Sequence, residues 1–353
     1  MDNAEQLTGE CISSNSTLDN LLSSKASTVI GSLILTLAFV VGLPGNAFVV
    51  WTLLFRVRRR TVTCVLVLNL AVADGVTLLT TPFWIHFLVR EDWPFGRGLC
   101  KAFHYLCCLN MYASIFLIAL MSLDRFVAVA RPFTAARLRR KGVVLKALAG
   151  LWALAALIAL LAPYYREVRT GRIECRRLCE AVHNTTSDAI VHYATETVVG
   201  FLAPLVVVTV SYAAVGRRVR ALRSRQRSRT ERLIVAVVVA FSLFWLPYHV
   251  VNVMQVGAEL AGAQRLLGLV KEQRPMVTAL AFVGCSVNPI LYAFTGVQLI
   301  RSTGPNFMAK LFEVTTTVEG GPAGQSQSQN RAARRDTTAG RNDSACLDQL
   351  TGL

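Results

Sequence analysis

Residues 28 to 55 contain no Asp, Glu, Lys or Arg, and neither do residues 233–258 or 275–300. An uncharged run of that length suits a helix crossing a bilayer, which needs about 20 apolar residues at 1.5 Å each. Four more apolar runs, 62–89, 102–123, 143–165 and 190–215, bring the number of candidate spans to seven. Only 16% of the chain is charged and 53% is hydrophobic, whereas soluble domains carry about 25% charged residues. In lipid every backbone polar group must be satisfied within its own segment or a closed barrel. The sequence therefore predicts an all-α membrane protein, a seven-transmembrane helix bundle with a short amphipathic eighth helix.

Four regions follow from this pattern. Residues 1–27 form an extracellular N-terminal segment, 28–300 the bundle, 298–312 the amphipathic cytoplasmic helix, and 313–353 a disordered cytoplasmic tail poor in core-forming residues. Residues 1–25 are polar and mildly acidic and lack a basic start followed by a short apolar core, so the first span is expected to act as the insertion signal. The formal charge is +16, from 37 Lys+Arg against 21 Asp+Glu. These bases cluster in alternate loops, at 56–60, 131–146 and 217–232, which places those loops in the cytoplasm. Such short runs beside membrane ends argue for topology and anionic lipid rather than nucleic acid. The sequons at Asn15 and Asn184 fall on the opposite, extracellular side, where glycosylation occurs.

Of nine cysteines, Cys64, Cys107, Cys108 and Cys285 lie within predicted spans and Cys346 in the tail. Cys11, Cys100, Cys175 and Cys179 lie on the extracellular side, where disulfides persist. A bridge from Cys100 to Cys175 or Cys179 would tie the fourth loop over the bundle, leaving the other cysteine with Cys11 as a partner.

Ionisable groups inside a membrane helix mark function. Asp74 is the deepest, and Asn110, Ser114 and Asn288 match its depth. Together they offer the oxygens a hard cation prefers, or else a protonated Asp74 simply hydrogen-bonds helices together. Pro204, Pro247 and Pro289 fall inside the fifth, sixth and seventh spans, where each favours a kink. Trp245 stands two residues before Pro247. No metal-ligand spacing, Gly-rich phosphate loop or nucleophile elbow points to an enzyme. A seven-helix transporter, the alternative from another class, is expected to show internal repeats that this sequence lacks.

The order of these features resembles the rhodopsin-like G-protein-coupled receptors. The likeness rests on Asn46 in "GLPGN", Asp74 in "LAVAD", Cys100, "LDRF" around Arg125, Trp152, Pro204, Tyr212, "FWLP" and "NPILY" from Asn288 to Tyr292. It implies an allosteric sodium site at Asp74, Asn110, Ser114 and Asn288, although Gly284 and Cys285 stand where relatives often carry Asn or Ser. It also implies an activation switch of Asp124, Arg125, Tyr212, Trp245, Pro247 and Tyr292, in which Arg125 is released as the sixth helix swings outward. Arg227 occupies a position where many relatives place an acid, so Arg125 is expected to rely on Asp124 alone at rest. Hydroxyls at Thr315–Thr317, Ser326, Ser328, Thr337, Thr338 and Ser344 suit receptor kinases and arrestin.

His104 precedes Arg125 by 21 residues, about 31 Å of helix, and so lies at the extracellular end. Arg166, His192, Glu196, Tyr248, His249, Asn252 and Arg274 fall at the same level. Two arginines flanking one cavity suit a carboxylate, and the remaining donors and acceptors suit hydroxyls. "HYLCCLNMYAS", "MSLDRFVAVARPF" and "WLPYHVVN" resemble the leukotriene B4 receptors, more closely their first subtype. That likeness implies leukotriene B4 or a related anionic lipid as ligand, and inhibitory heterotrimeric G proteins as partners on leukocytes at the plasma membrane. It assigns ligand contacts to His104, Arg166, Glu196, Tyr248, Asn252 and Arg274; another anionic lipid or a formyl-type peptide is the alternative ligand.

Overall fold

A computed structural model describes residues 18–57, 61–170, 176–221 and 229–295. Asn15, Cys11, Cys175, Arg227, the eighth helix and the tail lie outside the described residues. Helix α1 (Leu18–Phe55) is followed by α2 (Val62–Leu78), α3 (Thr81–Arg90), α4 (Gly96–Ala130), α5 (Pro132–Leu138), α6 (Lys141–Ala159) and α7 (Leu161–Tyr165). A hairpin, β1 (Arg166–Thr170) and β2 (Arg177–Ala181), leads to α8 (Thr186–Thr197), a π-helical turn (Val198–Leu202), α9 (Ala203–Ala221), α10 (Arg229–Ala261) and α11 (Gln264–Thr295). Seven spans are long and apolar enough to cross a membrane, from Thr28–Phe55 to Gln264–Ala293.

Local chemistry sets several helix ends. Thr61, in an extended conformation, caps α2 by accepting from the Cys64 N–H, the usual role of a Thr at an N-cap. Thr185 and Asp188 form a reciprocal capping box that starts α8, each hydrogen bond 3.1 Å long. Interruptions fall at Pro82, where α2 gives way to α3, near Pro163 between α6 and α7, and just before Pro204, where the π turn sits. Pro247 and Pro289 each remove one intrahelical hydrogen bond, yet α10 and α11 continue through them. The bundle tolerates such residues because neighbouring helices re-satisfy the freed groups.

Helix boundaries differ from the hydropathy reading where charge is paired. The third span runs Gly96–Ala130 and carries Arg97, Lys101, Asp124 and Arg125 within it. The sixth loop shrinks to Gly262 and Ala263, because α10 runs to Ala261 and α11 starts at Gln264. Gly262 makes the turn with a φ of +63°, a conformation that suits glycine.

The second and third spans are the most enclosed: 56% of each apolar window is shielded, against 17% for the fourth. Met111, Tyr112, Leu117 and Ile118 of α4 pack with Leu66 and Leu70 of α2 and with Trp245 and Tyr292. Lipid is as apolar as leucine, so helix association rests on close packing and polar contacts. Gly42 shows the packing: a Cβ there would meet Leu78 Cδ1 at 2.8 Å and collide with Ser286. Trp152 Nε1 donates to Asn69 Oδ1 at 2.9 Å, and Asn46 Nδ2 donates to the Gly42 and Cys285 carbonyls, each at 2.9 Å. Each such bond contributes about 0.6 kcal/mol.

Candidate ligand site

The fourth loop covers one end of the bundle. Its β1 and β2 pair antiparallel from Arg166↔Ala181 to Thr170↔Arg177. Cys100 bonds to Cys179, which resolves the choice that extracellular cysteines left open. Asp92 accepts from Arg177 at 2.7 and 3.1 Å, and Glu167 accepts from Arg97 at 2.7 Å and Lys101 at 2.9 Å. The Arg177 partner holds the Asp92 carboxyl down at about 2. Arg97 and Lys101 do the same for Glu167, also to about 2.

Beneath this cover, Glu196, Tyr248, Asn252 and Arg274 form one hydrogen-bonded network, with Arg166 and His249 at its margin. Glu196 is 3% exposed and accepts from Tyr248 Oη at 2.8 Å and Asn252 Nδ2 at 3.0 Å. The Asn252 carbonyl accepts from Arg274 Nη1 at 3.0 Å. The Arg274 guanidinium also lies over the Tyr193 ring, 4.3 Å from its centroid, and 6.0 Å from that of Tyr248. Arg166 is the first residue of β1, directly after the fourth span. Burial lowers its pKa, and its electrostatic neighbours include Tyr193, Tyr248 and Arg274. Arg166 Nε and Arg274 Nη2 are both buried with no hydrogen-bond partner. Orphaned guanidinium donors are costly unless a ligand satisfies them.

His249 stacks on Phe201, centroids 4.7 Å apart, and stands beside Tyr248. His104 stands apart from the Glu196 contacts, with Nδ1 3.9 Å from Cys179 Sγ and its ring edge-on to Trp84 at 4.8 Å. Sequence reasoning missed Tyr193 and Cys108, whose Sγ is 3.8 Å from Glu196 Oε1. Neither carries a signal, since an apolar-face Tyr or Cys reads as core.

The four polar-core residues converge as expected. Asn288 Nδ2 donates to Asp74 Oδ2 at 2.8 Å, Ser114 Oγ to Asn110 Oδ1 at 3.0 Å, and Asn110 Nδ2 to Cys285 Sγ at 3.2 Å. They line a cavity of about 10 Å³ together with Trp245 and Gly284, room for one small particle. The Asp74, Ser114 and Asn110 oxygens suit a monovalent hard cation in donor type, while Cys285 offers sulfur in place of a further oxygen. Trp245, 9% exposed, bridges this cavity to the ligand network through Phe241 and Tyr248.

At the other end, Arg125 donates to Thr63 Oγ1, and its Nε is 3.7 Å from Asp124. Asp124 accepts from Arg139 at 2.9 and 2.8 Å. Arg125 therefore does not rely on Asp124 alone: Arg139, carried by the turn after α5, occupies the carboxylate. Tyr212 and Tyr292 both pack into the core cluster around α4.

Among the described residues seven spans surround a polar core, with a buried polar network beneath a loop cover at one end, and residues 45–292 match the 7 transmembrane receptor (rhodopsin family). The chain belongs to that family of G-protein-coupled receptors and is not an enzyme. Leukotriene B4 receptor 1 of Homo sapiens is 44% identical over 315 residues, covering 87% of this chain and 89% of the relative. Leukotriene B4 receptor 2 of Mus musculus is 42% identical over 312 residues, 86% and 85% of the two chains. The C5a anaphylatoxin chemotactic receptor 1 of Oryctolagus cuniculus is 34% identical over 314 residues, 86% and 88%.

Proposed function

We propose that this receptor binds leukotriene B4, or a closely related hydroxylated lipid acid, between Arg166, Arg274 and the Glu196–Tyr248–Asn252 network. The observation that carries the reading is the pair of buried guanidinium donors without partners, Arg166 Nε and Arg274 Nη2. A carboxylate satisfies both, and each charged hydrogen bond contributes about 1.5–3 kcal/mol. Glu196, Tyr248 and Asn252 then accept from or donate to the ligand hydroxyls, and His104 and His249 border the same space. The names of the relatives at 44% and 42% identity support this ligand class.

In this reading the hairpin end and Asn15 face the outside of the plasma membrane, and the C-terminus faces the cytoplasm. Agonist binding moves Trp245 and Pro247, releases Arg125 toward Tyr212 and Tyr292, and activates inhibitory heterotrimeric G proteins. Sodium at Asp74 favours the resting state. Receptor kinases and arrestin read the tail. One observation favours a peptide ligand instead, the 34% identity to a C5a receptor. Competition for labelled leukotriene B4 on cells expressing the chain separates the two: displacement by the lipid and not by chemotactic peptides supports the proposal, and the reverse order overturns it.

A further inference from the structure

The outer face of the bundle is concave where α1 meets α2. A cleft of about 340 Å³ runs along the two helices, lined among others by Ala47, Trp51 and Phe55 of α1 and Val72, Gly75 and Val76 of α2. Its floor is low because Ala47, Ala71 and Gly75 carry little or no side chain. A Cβ added at Gly75 would meet Asn46 only at 3.9 Å. Phe55, Val72 and Val76 border the cleft and are 74%, 45% and 42% exposed. Asn46, the polar residue of the lining, is buried and donates to the Gly42 and Cys285 carbonyls.

The α1 wall, from Leu43 to Phe55, spans about 18 Å at 1.5 Å per residue. That is close to the hydrocarbon depth of a single leaflet, about 15 Å. The wall ends at a cation. Arg56 directly follows α1, is exposed, and places its guanidinium carbon 5.0 Å from the Trp51 ring centroid. Among the described residues no carboxylate pairs with Arg56. The same end of the bundle holds Arg125, which donates to Thr63 at the start of α2.

Hydrocarbon tails are as apolar as the cleft, so burial alone gives no preference for an occupant. A seated chain gains packing contacts with the concave wall, and discrimination between lipids must come from the headgroup. A guanidinium bonds two phosphate oxygens at once while its face stays on an aromatic ring. A sterol offers one neutral hydroxyl, a poorer match to an arginine without an acidic partner.

We infer that the cleft between α1 and α2 is a binding site for an anionic phospholipid of the leaflet on the Arg125 side. One acyl chain lies along Trp51 and the phosphate is held by Arg56. The site is separate from the ligand network around Glu196, and its test requires neither the ligand nor the membrane orientation proposed above.

Trp51 lines the cleft and is 40% exposed, so it reports on what occupies it. The full chain is placed in phosphatidylcholine nanodiscs that carry rising fractions of a lipid with brominated acyl chains, which quench tryptophan on contact. Subtracting the signal of Trp51→Phe isolates Trp51 from the other tryptophans. Trp51 is expected to show about fivefold higher relative affinity for brominated phosphatidylserine than for brominated phosphatidylcholine, the effect of one basic residue at an anionic surface. Arg56→Gln makes the two lipids equal. Ala47→Phe fills the cleft from an exposed position with Arg56 in place, and it abolishes the preference; Val76→Phe does so from α2 should the first variant fail to fold.

Equal quenching by the two lipids in wild type, or a preference that survives Arg56→Gln, reduces the contact to ordinary surrounding lipid and overturns the inference. A preference that survives both cleft-filling variants assigns it to general attraction by the basic loops, and also overturns the site. Displacement of brominated phosphatidylserine by an equal fraction of cholesterol overturns the choice of occupant. Absence of quenching by either lipid shows the cleft to be closed to lipid, and overturns it as well.

Discussion

Arg139 grips Asp124 at both oxygens, 2.9 Å to Oδ1 and 2.8 Å to Oδ2, while Arg125 stays 3.7 Å from the same carboxylate and donates to Thr63. Two parallel bonds from one guanidinium make a stronger pair than a single 3.7 Å contact. The resting hold on Arg125 is therefore weaker than adjacency in "LDRF" suggests. Arg139→Ala returns Asp124 to Arg125. The side chains are only 21% and 13% exposed, so the exchange is worth about 1 kcal/mol, the upper end of the range of open surface pairs. Basal guanine-nucleotide exchange on a co-reconstituted G protein falls about fivefold; unchanged or raised basal exchange refutes this account of the switch.

The loop cover has a pH response set by its ion pairs. Asp92 and Glu167 each titrate at about 2 when folded, held there first by Arg177 and by Arg97 respectively. Their folded values lie below the ordinary ones, so the stabilisation is fully present above about pH 4 and is lost as pH falls toward 2. Hydrogen exchange in β1 and β2, corrected for intrinsic rates, stays constant from pH 7.5 to 5. Loss of protection within that interval contradicts the assignment. Any change in ligand affinity over the same interval must then arise elsewhere.

Sodium sensitivity follows from the donor set around Asp74. If sodium binds there, Asp74→Asn removes the charge and abolishes any effect of sodium chloride, against a potassium control, on agonist affinity. Cys285→Ser replaces the sulfur that Asn110 contacts with a harder oxygen and enlarges the effect. A sodium effect that survives Asp74→Asn places the ion elsewhere.

The seven spans were legible because uncharged runs longer than 20 residues have few other uses. Span ends were less so. Hydropathy stops at charge, whereas the third span continues through Arg97 and Lys101, which Glu167 neutralises. The sixth loop shortened for a similar reason, since Glu259 is a partly buried helical residue that accepts from Gln255, and Lys271 and Glu272 are exposed helical residues. The candidate ligand residues stood out in the sequence by depth, as charge near a membrane end invites explanation. Arg139 did not, because its partner lies on another element and a loop arginine reads as solvated surface.

The carboxylate clamp is tested most directly by comparing leukotriene B4 with its methyl ester on wild type and on Arg166→Ala/Arg274→Ala. Esterification removes the charge while keeping the hydroxyls and chain. Wild type is predicted to prefer the acid by about 10- to 100-fold, the scale of one charged hydrogen bond. That preference collapses to within about threefold in the double variant. Equal binding of acid and ester by wild type, or an undiminished preference in the double variant, contradicts the clamp.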